Sequence, residues 1–318
     1  MNYQQELEQS LNYLKSPQAI KSLQADAYWP KWDSSWWHML LLHEMGLTHE
    51  IPETVVESYI AAINRIPVKI FPIYPEDMPA GVDLARGSPC HCQLGHVYQV
   101  LAARGVDVDS EVNWLRPWFL KYQMADGGLN CDEGAYREKE EVPSSMVGTI
   151  PIFEAVLFHT NRQWTSEEEV FLKKGADFLI KRQLMLGSET KYNASERESA
   201  KEWMQLCFPR FYFYDVLRGL HALLHWSKKT GSAIPYESIK TVVRHLQTQF
   251  KDAEMQIGRQ AYLGSGSRNQ LPNGDWKWHP EAVSFPLMSK VSAVGQASPF
   301  LTKQWKESQQ ILSELKLI

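Results

Sequence analysis

The chain has 318 residues, 44% hydrophobic and 22% charged, with a formal net charge of -4 and a pI near 6.2. That is the balance of a globular protein with a substantial core, and it gives no electrostatic basis for binding nucleic acid or an anionic membrane. The start, MNYQQELEQSLNYLK, lacks the basic head and apolar stretch of a signal peptide, and no apolar run reaches the length of a membrane span. A cytoplasmic protein with reduced cysteines is therefore expected.

In chain order the segments read as helices of two alternating kinds. QQELEQSLNYLK supplies a candidate closing helix. SSWWHMLLLHEMG is apolar nearly all round, as for a helix buried on both sides. IPETVVESYIAAINRI follows, with Pro52 suited to a first helical position and Val55, Val56, Tyr59, Ile60, Ile63 and Ile66 on one face. The same pairing recurs in CHCQLGHVYQVLAARG with DVDSEVNWLRPWFLKYQ, in SSMVGTIPIFEAVLFH with TSEEEVFLKKGADFLIKRQ, and in FYFYDVLRGLHALLHW with PYESIKTVVRHLQTQF. Residues 285–315 read as a fifth pair. Pro117 and Pro151 are expected to bend or interrupt their helices.

WFLKYQ, ending at Gln123, is echoed by FLIKRQ, ending at Gln183, and more loosely by VVRHLQ, ending at Gln247. A period of about 60 residues with two helices per unit indicates stacked repeats sharing one core. Buried helices alternating with one-sided ones predict an all-α fold, an α/α toroid with inner and outer helix rings, spanning residues 1–318 as one domain.

The stretch FLKYQMADGGLN, with Phe119, Gln123, Asp126, Gly127 and Gly128, resembles the Gln-to-Trp repeats of squalene cyclases and the related repeats of protein prenyltransferase β subunits. Leu129 stands where that family has an aromatic residue, and later copies keep little beyond the Gln. The resemblance implies the toroid fold and an aromatic central cavity for an isoprenoid-like or other small substrate. It does not by itself fix a reaction.

In a toroid the inner helices run side by side, so their N-termini share one mouth. The segments entering them are WPKWDSSWWH, GSPCHCQLGH, EVPSSMVGT, FPRFYFYD and SFPLMSK, and the loop DGGLNCDEGAYREKEE leads into the third. Free N–H groups and positive dipole ends at that mouth favour an anion or a thiolate. Arg210, Arg218 and Lys290 add positive charge.

Cys92 and His96, four apart, share one helix face. With Cys90 and Cys131 they are the candidate metal ligands, and zinc is the expected ion. Protein prenyltransferases hold a catalytic zinc near this part of their toroid, although their Asp-X-Cys-Tyr signature is replaced here by Cys-X-Cys. The competing reading is a set of small semi-buried thiols at a helix start.

Asp132 and Glu133, with Asp33 and His91, are the candidate acid–base groups. Asp132 and Glu133 read equally as a solvated acidic loop, and Asp33 or Ser34 as an N-cap. Trp36, Trp37, Arg210, Tyr212, Tyr214, Asp215 and Arg218 are candidate substrate-binding residues. Asp215, Arg218 and His225 make a polar stripe on an otherwise apolar helix, which must be ion-paired or wetted by a cavity. An Asp215–Arg218 pair is the simplest account.

No Asp-X-Asp-Asp acid lies at the mouth, since DVDSE, residues 107–111, caps a helix at the other end. No Asp-Asp-X-X-Asp motif exists, so standard terpene cyclisation is disfavoured. Three functional readings remain: a cyclase- or transferase-like protein of the toroid type, a carbohydrate-active toroid enzyme with Trp platforms, and a non-catalytic binding or scaffold protein.

Overall fold

The structure is a computed structural model that describes residues 2–69, 74–250 and 252–318. The chain is mostly helical. Its helices are α1 (Gln4–Leu14), α2 (Pro17–Ala25), α3 (Ser35–Glu44), α4 (Glu53–Asn64), α5 (Leu84–Gly87), α6 (His91–Ala103), α7 (Val108–Glu111) and α8 (Leu115–Lys121). They continue with α9 (Met146–His159), α10 (Ser166–Lys181), α11 (Ser195–Ala200), α12 (Val216–Thr230), α13 (Lys240–Gln249), α14 (Pro286–Val291) and α15 (Pro299–Glu314). No described helix is long and apolar enough to cross a membrane.

The two kinds of helix separate as their periodicity requires. Every residue of α6 from His91 to Leu101 is buried, and α9 is buried from Gly148 to Leu157. By contrast α4, α10 and α13 bury one stripe each. α10 opens with a capping box between Thr165 and Glu168 and three glutamates in its first turn, which suits the helix dipole. The buried apolar residues join in one contiguous core from Leu7 to Leu312.

The buried helices touch in sequence: α3 on α6, α6 on α9, α9 on α12 and α12 on α15. Of the one-sided helices, α8 packs on α6, α10 on α9 and α12, and α13 on α12, while α4 packs on α2. The expected closing helix α1 contacts both α14 and α3.

Local details add to the expected all-α pattern. The helix expected over 107–123 is split into α7 and α8, and Pro117 falls in the first turn of α8, where its missing N–H has no helical partner to lose. Pro151 does not interrupt α9, and its carbonyl accepts from Gln99 Nε2 at 2.7 Å. Short strands also occur: β1 (Met255–Gln256) pairs with β4 (Ala297–Ser298), and β2 (Ser267–Gln270) pairs antiparallel with β3 (Trp276–His279). The β2–β3 turn contains Asn273 and Gly274, the latter at φ +90°, a conformation natural to Gly.

The FLKYQMADGGLN stretch is a clamp. Gln123 Nε2 donates to the carbonyls of Gly127 (2.9 Å) and Phe171 (2.8 Å), tying the turn to α10. A Cβ on Gly127 would lie 2.0 Å from the Lys174 carbonyl oxygen, so only glycine fits. Gln183 and Gln247, its expected repeat counterparts, are exposed.

Candidate metal centre

The segments entering the buried helices meet. Cys90 is the N-cap of α6, and its Sγ lies 3.2 Å from that of Cys92 in the first turn. The Cys92 amide donates to Cys131 Sγ at 3.4 Å. All four cysteines of the chain are free thiols, and the Sγ atoms of Cys90, Cys92 and Cys131 lie within 4.8 Å of one another. Cys92 is buried, whereas Cys90 and Cys131 keep part of their exposure.

The loop carrying Cys131 is fixed from several sides. Its neighbour Asn130 donates its amide N–H to the Tyr136 hydroxyl (3.1 Å), its carbonyl meets the His91 ring, and its side chain donates to the Pro143 carbonyl. Leu129 donates to Thr149 Oγ1 of α9 (2.8 Å), and its carbonyl accepts from Ser145 N (2.8 Å). The third thiol is thus held against α6 by bonds reaching back to α9.

Three thiols in contact create an electrostatic conflict. Hydrogen bonds from Cys131 and Cys92 draw the Cys90 thiol well below its usual range. Hydrogen bonds to Cys131 and Cys90, with burial and their charge, push Cys92 well above it, and the bond to Cys90 with burial outweighs the bond to Cys92 and pushes Cys131 up as well. A divalent cation among the sulphurs removes the conflict, and Cys-rich donor sets favour zinc-like ions. The three thiols can hold a metal. Among the described residues no further His, Cys, Asp or Glu joins the group.

Sequence reasoning passed over Lys31, a cation that senses charge on Cys92 and Cys90. Lys31 Nζ donates to the Tyr212 hydroxyl at 3.0 Å and lies 5.1–5.9 Å from the ring centres of Tyr212, Trp29, Trp32 and Tyr28. Burial lowers its pKa, while charge on Cys92 and Cys90 works the other way. The signal was legible: a lysine between Trp29 and Trp32 in a segment entering a buried helix.

The remaining candidates divide. His96 is not a fourth ligand, because its Nδ1 meets the Cys92 carbonyl at 2.7 Å and its Nε2 meets Arg218 Nη2 at 2.9 Å. His91 is buried against Trp118, Tyr122 and Tyr136, and burial takes its pKa down to about 4. It positions the Asn130 loop. Asp132 is exposed, with its carboxylate accepting from Gly134 N (2.9 Å) and Tyr192 Oη (2.7 Å). Glu133 is half-buried and Asp33 exposed.

Trp36 and Trp37 are not binding platforms, since each is 1% exposed. Trp36 stacks on Tyr59, and Trp37 Nε1 donates to the Tyr28 carbonyl at 2.9 Å. Tyr214 is buried and donates to the Leu184 carbonyl at 2.8 Å. Asp215 pairs with Arg210 (2.8 Å), and its other oxygen caps the Arg218 amide (3.0 Å). The Arg218 side chain pairs instead with Glu154 of α9 at 2.6 Å. The expected Asp215–Arg218 ion pair is therefore replaced by two others. Tyr212 alone of the aromatic candidates is half-buried beside the thiols.

Several aromatic side chains near the segments entering the buried helices pack on one another rather than lining an open space. Phe211, fully buried, stacks on Trp32 at 5.3 Å and approaches Trp37 at 5.2 Å. Its amide and that of Arg210 both donate to the Glu44 carboxylate at the end of α3. Glu44 also lines a cavity of about 370 Å³ with a different character, together with His96, Glu154, Arg218, His221 and His225 among others. Arg218 and His225 of the α12 polar stripe line it, whereas Asp215 is fully buried away from it.

No family model matches the chain, and no curated protein or solved structure matches it either.

Proposed function

We propose that this protein is a zinc-dependent transferase, built on an α/α toroid, that acts on a small polar substrate at the thiol cluster. The observation that carries the reading is the three sulphurs within 4.8 Å with no further His, Cys, Asp or Glu joining them among the described residues. Structural zinc sites are closed by four protein ligands, whereas catalytic sites keep one position for substrate. Bound there, zinc would supply a fixed dication able to keep a substrate sulphur in its thiolate form.

The chain's own groups provide the rest. Lys31, held against Tyr212, offers an ammonium for the anionic part of a substrate, and the α6 N-terminus adds its dipole. The toroid is supported by the α3, α6, α9, α12, α15 succession and by α1 touching both α14 and α3. The resemblance to prenyltransferase repeats favours transfer chemistry. With Phe211 and Trp32 packed on one another, the substrate is a compact molecule rather than a long isoprenoid. The carbohydrate reading loses its platforms in the buried Trp36 and Trp37.

Protein purified without added metal should carry about one zinc per chain at this centre, and Cys90→Ser and Cys131→Ser should each lose it while keeping their helical content. Replacing the ion by cobalt(II) makes sulphur ligation visible as charge-transfer absorption. A small thiol added to that form should increase the absorption by filling the open position. A wild-type chain without affinity for zinc overturns the metal centre, and an unchanged cobalt spectrum overturns its role in transfer.

A further inference from the structure

The geometry points to a second metal site, independent of the thiols: His221 and His225 of α12 with Glu307 of α15, binding a divalent transition-metal ion at the wall of the polar cavity. Their donor atoms lie within 4.8 Å of one another. Two histidines four apart share one helix face, and the rings stand 4.4 Å apart. α15 lies directly against α12 and brings the carboxylate across. Two imidazoles and a carboxylate form a donor set used by catalytic zinc and by non-haem iron(II).

The hydrogen bonds prepare the site. Ser308 Oγ donates to the Gln304 carbonyl at 2.8 Å, which uses its only proton. At 3.2 Å from His221 Nδ1 it can then only accept, so His221 carries its proton on Nδ1 and presents a bare Nε2 lone pair. Metal-binding histidines are oriented in this way by a partner on the other ring nitrogen. His225 Nε2 is buried with no hydrogen-bond partner, an arrangement that costs free energy unless something binds it. Gln304 Oε1, on the same cavity wall, is buried and equally unpartnered.

Most of the surrounding cations are engaged by other groups, although Lys228, Lys229 and Arg210 still lower the proton affinity of the two imidazoles. Lys228 pairs with Glu314 (2.7 Å), and Lys229 donates to the Leu157 carbonyl (3.0 Å). Arg210 and Arg218 are committed to Asp215 and Glu154. Lys303 touches Glu307 at 4.0 Å in an exposed pair, which is weak and readily displaced. A cavity of about 370 Å³ leaves room beside the ion for a small ligand.

Zinc and cobalt(II) titrations of the chelator-stripped full-length chain test the site. The Cys90→Ser variant should still bind one ion, giving cobalt spectra without sulphur charge transfer. In the wild type, His225→Ala should abolish that binding while sparing the sulphur charge-transfer band. Glu307→Gln lies on an exposed side chain and leaves the core intact. It should weaken this binding about 10-fold or more, and Ser308→Ala about 10- to 100-fold. Zinc affinity of Cys90→Ser unchanged by Glu307→Gln and by His225→Ala overturns the proposal, as does a Cys90→Ser chain that binds no zinc.

Discussion

Gly95 of α6 lies so close to Pro151 of α9 that a Cβ on Gly95 would come within 2.5 Å of the Pro151 carbonyl carbon and 2.7 Å of its oxygen. The obstacle is helix backbone, which cannot swing aside. Gly95→Ala gains about 1 kcal/mol of helix propensity, but forcing the helices apart costs about 1–3 kcal/mol or more. The net effect is destabilisation, read as a lower denaturant midpoint. Cys92 lies on α6 and the Cys131 loop is tied to α9, so the same variant should also bind zinc more weakly. An alanine variant as stable as the wild type would remove this contact from the account.

Gln123 and Gln183 close matching stretches of sequence but occupy different environments. Gln123 bridges two carbonyls, whereas Gln183 is exposed. Gln123→Ala should cost about 1–3 kcal/mol, because two carbonyls lose their donor. Gln183→Ala should stay within about 0.5 kcal/mol. Equal effects in chemical denaturation would restore Gln183 as a true structural repeat of Gln123.

These two glutamines also mark what was legible in the sequence. Helix burial was readable, because α6 and α9 are apolar all round and α10 is not. The meeting of Cys90, Cys92 and Cys131 followed from where each segment enters a buried helix. His96 was misread because spacing places it on the Cys92 face but says nothing of Arg218, 122 residues further along, which takes its free nitrogen. Trp36 and Trp37 were misread for the same reason. A tryptophan at a mouth looks like a platform until Tyr59 and Phe211 are known to cover it. The β2–β3 hairpin carried an Asn-Gly turn signal, but its strands are too polar to show an alternating pattern. The His221–His225 pair was visible as spacing, while Glu307 and Ser308, which give it meaning, arrive from another helix.

Glu168 makes acid stability specific. Burial pushes its carboxyl up, but Arg162, the Thr165 amide and Arg116 outweigh that and hold its pKa down to about 2 from 4.5. Its folded pKa therefore lies below its unfolded one. The stabilisation is present above about pH 4.5 and is lost as the pH falls towards 2. Glu168→Gln should lower stability at neutral pH by about 1–3 kcal/mol and flatten the fall in stability across that window. A variant whose acid limb overlays the wild type would show that Arg116 and Arg162 do not depend on this charge.

Removing metal should change the thiols selectively. Cys90, Cys92 and Cys131 share one centre, while Cys207 is fully buried and donates to Asp215 Oδ2 at 3.7 Å. Burial and the Asp215 charge push the Cys207 thiol up to about 12, so it is neither ionised nor reachable. In the zinc-loaded chain, iodoacetamide should react slowly with all four. After a chelator strips the metal, Cys90, the partly exposed thiol whose pKa is drawn down, should be modified first while buried Cys207 stays free, as read by peptide mass spectrometry of the native protein. Zinc added back before the reagent should restore protection. If the chelator leaves the labelling pattern unchanged, the three sulphurs are not holding a metal, and the open position argued for substrate goes with it.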